Sequence, residues 1–111
     1  MLPENITAVI ARNETWTGVS TTEPYEAGWA REVVMFVRAL KDPVGDQKTA
    51  SVEISPDGMH WMQEGTDIEL PKRKNEVSAA RISHFGNWLR LRATMPDGTS
   101  TTVLVTVHAK A

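Results

Sequence analysis

Ser55-Pro56-Asp57-Gly58-Met59-His60-Trp61 decides the fold of this chain, and Met95-Pro96-Asp97-Gly98-Thr99 repeats its central device. In each, proline presets φ for the first corner of a turn and aspartate can hydrogen-bond its own backbone. Glycine accepts the positive φ that closes a tight hairpin. Alternating apolar patterns flank both turns. Before the first, residues 48–55 place Ala50, Val52 and Ile54 on one face and Ser51 and Glu53 on the other. Before the second, Leu89, Leu91 and Ala93 point inward while Trp88, Arg90 and Arg92 point outward. After it, Val103, Val105 and Val107 mark a last strand over residues 101–109. Period-two alternation between Pro-Asp-Gly turns predicts antiparallel hairpins.

The rest of the chain reads the same way. Residues 5–13 form a first strand, with Ile6, Ala8 and Ile10 on one face and Thr7 and Val9 on the other. Residues 14–22 carry the Thr, Val and Trp mixture that suits a pleated surface. Pro24 and Gly28 mark residues 21–29 as a loop or bulged edge. Val33-Val34-Met35-Phe36-Val37 is apolar on both faces, as in a strand at a sheet centre or under a neighbouring subunit. Short strands are expected at 59–64, 67–70 and 77–82. The sum is an all-β protein of about eight strands, an antiparallel β-sandwich of jelly-roll or immunoglobulin-like type. It forms a single domain over 1–111, with extended arms expected at 1–5 and 108–111.

Composition narrows the function. A chain of 111 residues supports one two-layer core. A net charge of −2 supplies no basic field for nucleic acid or an anionic membrane. No apolar run approaches the ~20 residues of a membrane-spanning helix. The first residues lack the basic-then-apolar pattern of a signal peptide, and the chain has no cysteine. Synthesis in a reducing cytoplasm is the expectation.

Catalytic chemistry finds no foothold. His60, His84 and His108 lack metal-ligand spacing, no Gly-x-Ser-x-Gly elbow is present, and the glycines make no phosphate-binding loop. The acid pair Glu23/Glu26 falls in an expected loop and Glu64/Asp67 flanks another, where solvated surface acids are commoner than catalytic ones. The chain therefore reads as a non-enzyme without metal or cofactor. Binding candidates are the outward stripe Trp88, Arg90 and Arg92, since Trp and Arg anchor interfaces disproportionately, and the basic run Lys72-Arg73-Lys74. Four tryptophans against one tyrosine and two phenylalanines is an unusual balance, and at least one or two must be core. Trp29, following the loop at 23–28, is the first candidate for an exposed functional ring.

Two segments also carry a resemblance. Ser55-Pro56-Asp57-Gly58-Met59-His60-Trp61 with Glu64-Gly65-Thr66, then Asn87-Trp88-Leu89-Arg90-Leu91-Arg92, is similar to small β-sandwich proteins of bacteriophage and prophage structural genes. It is similar, less closely, to discoidin-like carbohydrate-binding sandwiches. The first resemblance implies a capsid decoration or other virion accessory protein. Such a protein would be made in the host cytoplasm and assembled as a homo-oligomer, a trimer being favoured, on the major capsid or another virion protein. The second implies a carbohydrate-binding module using Trp29, Trp88, Arg90 and Arg92. The resemblance spans residues 50–94 and specifies a hairpin and a core tryptophan more than a role.

Overall fold

A computed structural model describes residues 5–46 and 49–111. Residues 1–4 of the expected N-terminal arm, and Lys48 at the start of the strand expected over 48–55, lie outside them. Nine strands are described: β1 (Asn5–Trp16), β2 (Val19–Thr21), β3 (Tyr25–Glu26), β4 (Glu32–Ala39), β5 (Thr49–Ser55), β6 (Met62–Glu69), β7 (Val77–Ser83), β8 (Trp88–Thr94) and β9 (Thr101–Lys110). They form two antiparallel sheets. The first has the order β1-β9-β4-β7. The second has β2-β8-β5-β6, with β3 following β2 along the same edge of β8.

That order is a jelly roll. Starting from the β5–β6 turn and moving outward in both directions, the pairs are β5/β6, β4/β7, β2 and β3 with β8, and β1/β9. Successive pairs alternate between the sheets, so the chain is one long hairpin rolled into a sandwich. The Pro56-Asp57-Gly58 turn is its tip. Ser55 Oγ accepts from the Gly58 amide at 2.9 Å, and Asp57 Oδ1 accepts from the Met59 and His60 amides at 2.8 Å each. Gly58 sits at φ +80°, as the turn requires.

The second Pro-Asp-Gly turn does a different job from the one expected. Gly98 has φ +78°, but β8 and β9 belong to different sheets, so the turn is a corner between layers and not a hairpin. Thr99 closes it through amide and hydroxyl bonds to the Pro96 carbonyl. Val44 and Ser100 exchange backbone hydrogen bonds beside it. A turn sequence encodes local reversal; whether the reversed strand pairs with its predecessor depends on which sheet has a place for it.

Between the sheets lie Trp16, Val33, Met35, Val37, Val52, Ile68, Leu89, Leu91 and the inward row Val103, Val105, Val107 and Ala109, all buried. The alternation expected for 89–93 and 103–107 is thus realised. Residues 5–16 form one strand, not the end of one and the start of another. Register shifts between Val9 and Ala11, and again between Ala11 and Glu14, turn consecutive Ile10 and Ala11 both inward, while Ile6, opposite Ala109 at the start of the strand, stays exposed. Likewise, the strands expected at 59–64 and 67–70 merge into β6. The expected C-terminal arm is instead the end of β9: His108 pairs with Thr7 and Val34, and Lys110 with Asn5 and Glu32. Far from being an appendage, this segment lies between two neighbouring strands.

Candidate interaction surfaces

The outer face of the second sheet gathers the arginine stripe. On β8, Trp88, Arg90 and Arg92 point away from the core while Leu89 and Leu91 point into it. Register places Glu53 of β5 opposite Arg90, and Ser51 opposite Arg92. Arg90 Nε donates to Glu53 Oε1 at 2.8 Å, and Arg92 Nη1 lies 3.8 Å from Glu53 Oε2. The Arg90 guanidinium stacks 4.2 Å from the centre of the Trp61 ring. Glu53 therefore faces outward, as its alternation predicts, yet is only 4% exposed. A carboxylate so desolvated is held by its charged partner and hydrogen bond.

Arg92 is bound less tightly. With Thr49, Ser51, Gln63 and Thr94 it lines an open polar depression of about 410 Å³. Ser51 Oγ donates to Asp67 Oδ1 at 3.0 Å on its margin. Trp88 is half-buried at the roll tip, where a Cβ at Gly58 would lie 3.2 Å from its ring.

Trp29 is not the exposed ring expected. It is half-buried in the turn after β3 and packs against the core. Lys72, Arg73 and Lys74 are exposed in the β6–β7 connection, at the end of the sandwich away from the tip. There the main chain is organised by acids: the Lys72 amide donates to Glu76 Oε1 and the Lys74 amide to Asp42 Oδ1. The structure thus brings together Trp88, Arg90 and Arg92 on one outer face, packs Trp29 against the core and leaves the basic run at the other end of the sandwich.

Among the described residues, no group of three or more His, Cys, Asp or Glu side chains could hold a metal ion. The histidines stay apart. His60 Nδ1 is 2.6 Å from Asp57 Oδ2 at the tip. His84 lies in the β7–β8 loop, and His108 meets the edge of Phe36 on the outer face of the first sheet, at 4.9 Å between ring centres. The His60 amide, the His60 ring and the Met59 amide hold the Asp57 carboxyl well below the usual carboxylate range.

Around Phe36, the outer face of the first sheet mixes apolar side chains with polar and charged ones. Across the strands, Val9, Thr106, Phe36 and Ala79 stand in one row, and Thr7, His108, Val34 and Arg81 in the next. Leu104 and Val77 flank Arg38 in a third. Val34 and Phe36 are half-buried, while Val9 is 39% and Val77 53% exposed. The double-sided apolar stretch at 33–37 thus has its inner face in the core and its outer face on this patch.

Two features escaped the sequence reading. One is Trp61 as a platform for Arg90, which requires knowing how the tip folds back. The other is the burial of Glu53. Its signal was present as an acid at an outward position beside a strand with two outward arginines, but only the β5/β8 register brings them together.

No protein-family model matches the chain, and neither does any of the curated proteins compared. Among solved structures, the chain is similar to the SPBc2 prophage-derived protein YomS. The TM-score is 0.62 at 11% identity, covering 100% of this chain and 96% of YomS. At that identity the likeness establishes a shared antiparallel β-sandwich fold.

Proposed function

We propose that this chain is a non-catalytic structural protein of a bacteriophage or prophage particle, a capsid decoration or other virion accessory protein that self-associates and binds coat subunits. The observation that carries the reading is the end-to-end likeness to a prophage-derived protein, with 100% of this chain and 96% of the other covered. The exposed Val9 and Val77 beside Phe36 on the outer face of the first sheet support it, because a protein that works by covering a partner needs exposed apolar area more than a single reactive site. In this role the chain is made in the host cytoplasm and acts without a cofactor.

The test is the composition of purified particles. Virions from the strain that encodes the chain, banded by density and analysed by quantitative mass spectrometry, are expected to contain it at a fixed ratio to the coat protein. Particles free of it, from cells that synthesise it, would contradict the proposal.

A second reading, a carbohydrate-binding module, is favoured by the polar depression around Arg92. Binding on a glycan array that is lost in Arg92→Ala and kept in Trp29→Ala would support it.

A further inference from the structure

We propose that the polar depression around Arg92 binds a neutral sugar by its edge, through two adjacent ring hydroxyls, and not by stacking on the ring's face. The proposal rests on the second, carbohydrate-binding reading above and gives that reading a ligand class.

Strand register builds the depression. On the outer face of the second sheet, Arg92 of β8 stands opposite Ser51 of β5, and Ser51 stands opposite Asp67 of β6. Gln63 lies opposite Glu53 in the neighbouring row, while Thr49 and Thr94 line the other side. Among the described residues, the side chains of Arg92, Thr49, Gln63 and Thr94 make no hydrogen bond, and the ion pair of Arg92 to Glu53 is long, at 3.8 Å. Ser51 donates to Asp67, which leaves its own oxygen able to accept.

The chemistry of that lining selects the ligand. Arg90 holds Glu53 at 2.8 Å, so Arg92 is the cation that faces the depression. Asp67 and Glu69, the latter opposite Thr49, are exposed on the β6 rim. Two strand spacings, or about 10 Å, separate them from β8. One arginine against two acids gives no net positive field for a carboxylate or a phosphate. It does set a strong donor near strong acceptors, and a hydroxyl uses both, accepting at its oxygen and donating its proton. Two adjacent hydroxyl oxygens on a ring suit the planar guanidinium fork, and their protons go to Asp67 and to the Gln63 carbonyl.

No aromatic side chain lines the depression, and the Trp61 ring is already stacked against the Arg90 guanidinium. The apolar face of a sugar therefore has no platform here, and only its hydroxyl edge finds partners. The volume of about 410 Å³ is toward the lower end for small-ligand sites, so a single ring is the unit recognised. Each new hydrogen bond replaces one to water, which sets a dissociation constant on the order of 1 mM.

Ligand charge provides the test. The full chain is screened on an array of neutral and acidic glycans. Isotope-labelled protein is then titrated, with NMR detection, with the methyl glycosides of glucose, galactose and mannose, with methyl glucuronide and with inorganic phosphate. At least one neutral glycoside is expected to shift the amides of Ser51, Gln63, Arg92 and Thr94 saturably, and to bind more tightly than glucuronide or phosphate. Arg92→Lys keeps the charge and loses the fork, so it should weaken that binding at least about fivefold, with thermal melts confirming that it is folded. Tighter binding of glucuronide or phosphate at these amides overturns the neutral-sugar assignment, and an unchanged affinity in Arg92→Lys overturns the contact to paired hydroxyls. Saturable sugar shifts confined to other residues overturn this site and leave the carbohydrate reading standing. A blank array with no shift for any glycoside overturns both.

Discussion

Glu53 shows how one position can couple sheet register to surface chemistry. Its side chain is held by Arg90 at 2.8 Å and covered by the same guanidinium that stacks on Trp61. Replacing it by Gln keeps the shape and removes the charge, leaving Arg90 half-desolvated without its counter-ion. Glu53→Gln is expected to cost about 2 kcal/mol in urea unfolding, with an unchanged dependence on denaturant. The double variant Glu53→Gln with Arg90→Met should recover part of that loss. Asp57 works through backbone donors. Because its carboxyl is held below the ordinary range by the folded turn, its stabilising effect is complete above the unfolded value of ~3.9 and disappears as pH falls further. Asp57→Asn should lower the melting temperature at neutral pH. It should also flatten the fall in melting temperature seen on acidification below about pH 4, as read by calorimetry.

At the scale of elements, the two Pro-Asp-Gly turns separate local propensity from tertiary role. Gly58 has φ +80° and lies against the Trp88 ring, whereas Gly98 has φ +78° and nothing within 4 Å of an added Cβ. Both alanine variants incur the left-handed backbone cost of about 1–2 kcal/mol. Gly58→Ala must in addition displace the tryptophan, so chemical denaturation should show it to be the more destabilising of the two. The alternating patterns at 89–93 and 103–107 were legible from residue order alone, because period two follows from strand geometry. The pairing of β9 with β1 and β4, instead of with β8, was not, because turn residues carry no information about which sheet receives the next strand. For the same reason the end of β9 read as an arm. Bulges in β1 blurred its periodicity, and Ile6 and Ile10 ended in different environments. The arginine stripe was readable, while its acid partner was hidden in a strand distant in sequence.

The molecule as a whole is a rolled hairpin whose strands share one core, and its unfolding should be correspondingly cooperative. Met35 lies at the centre of that core, fully buried on β4. Met35→Ala is expected to cost about 3 kcal/mol by calorimetry or urea unfolding, with a single transition retained. The outer side chains of the same strand lie at the surface, Val34 and Phe36 half-buried and Glu32 and Arg38 exposed. The most direct measurement is binding of the purified protein to particles that lack it, followed by co-sedimentation as the protein is added in increasing amounts. The account predicts saturable binding at a fixed number of copies per coat subunit, weakened by Phe36→Glu. Protein that stays in the supernatant at every concentration would contradict it.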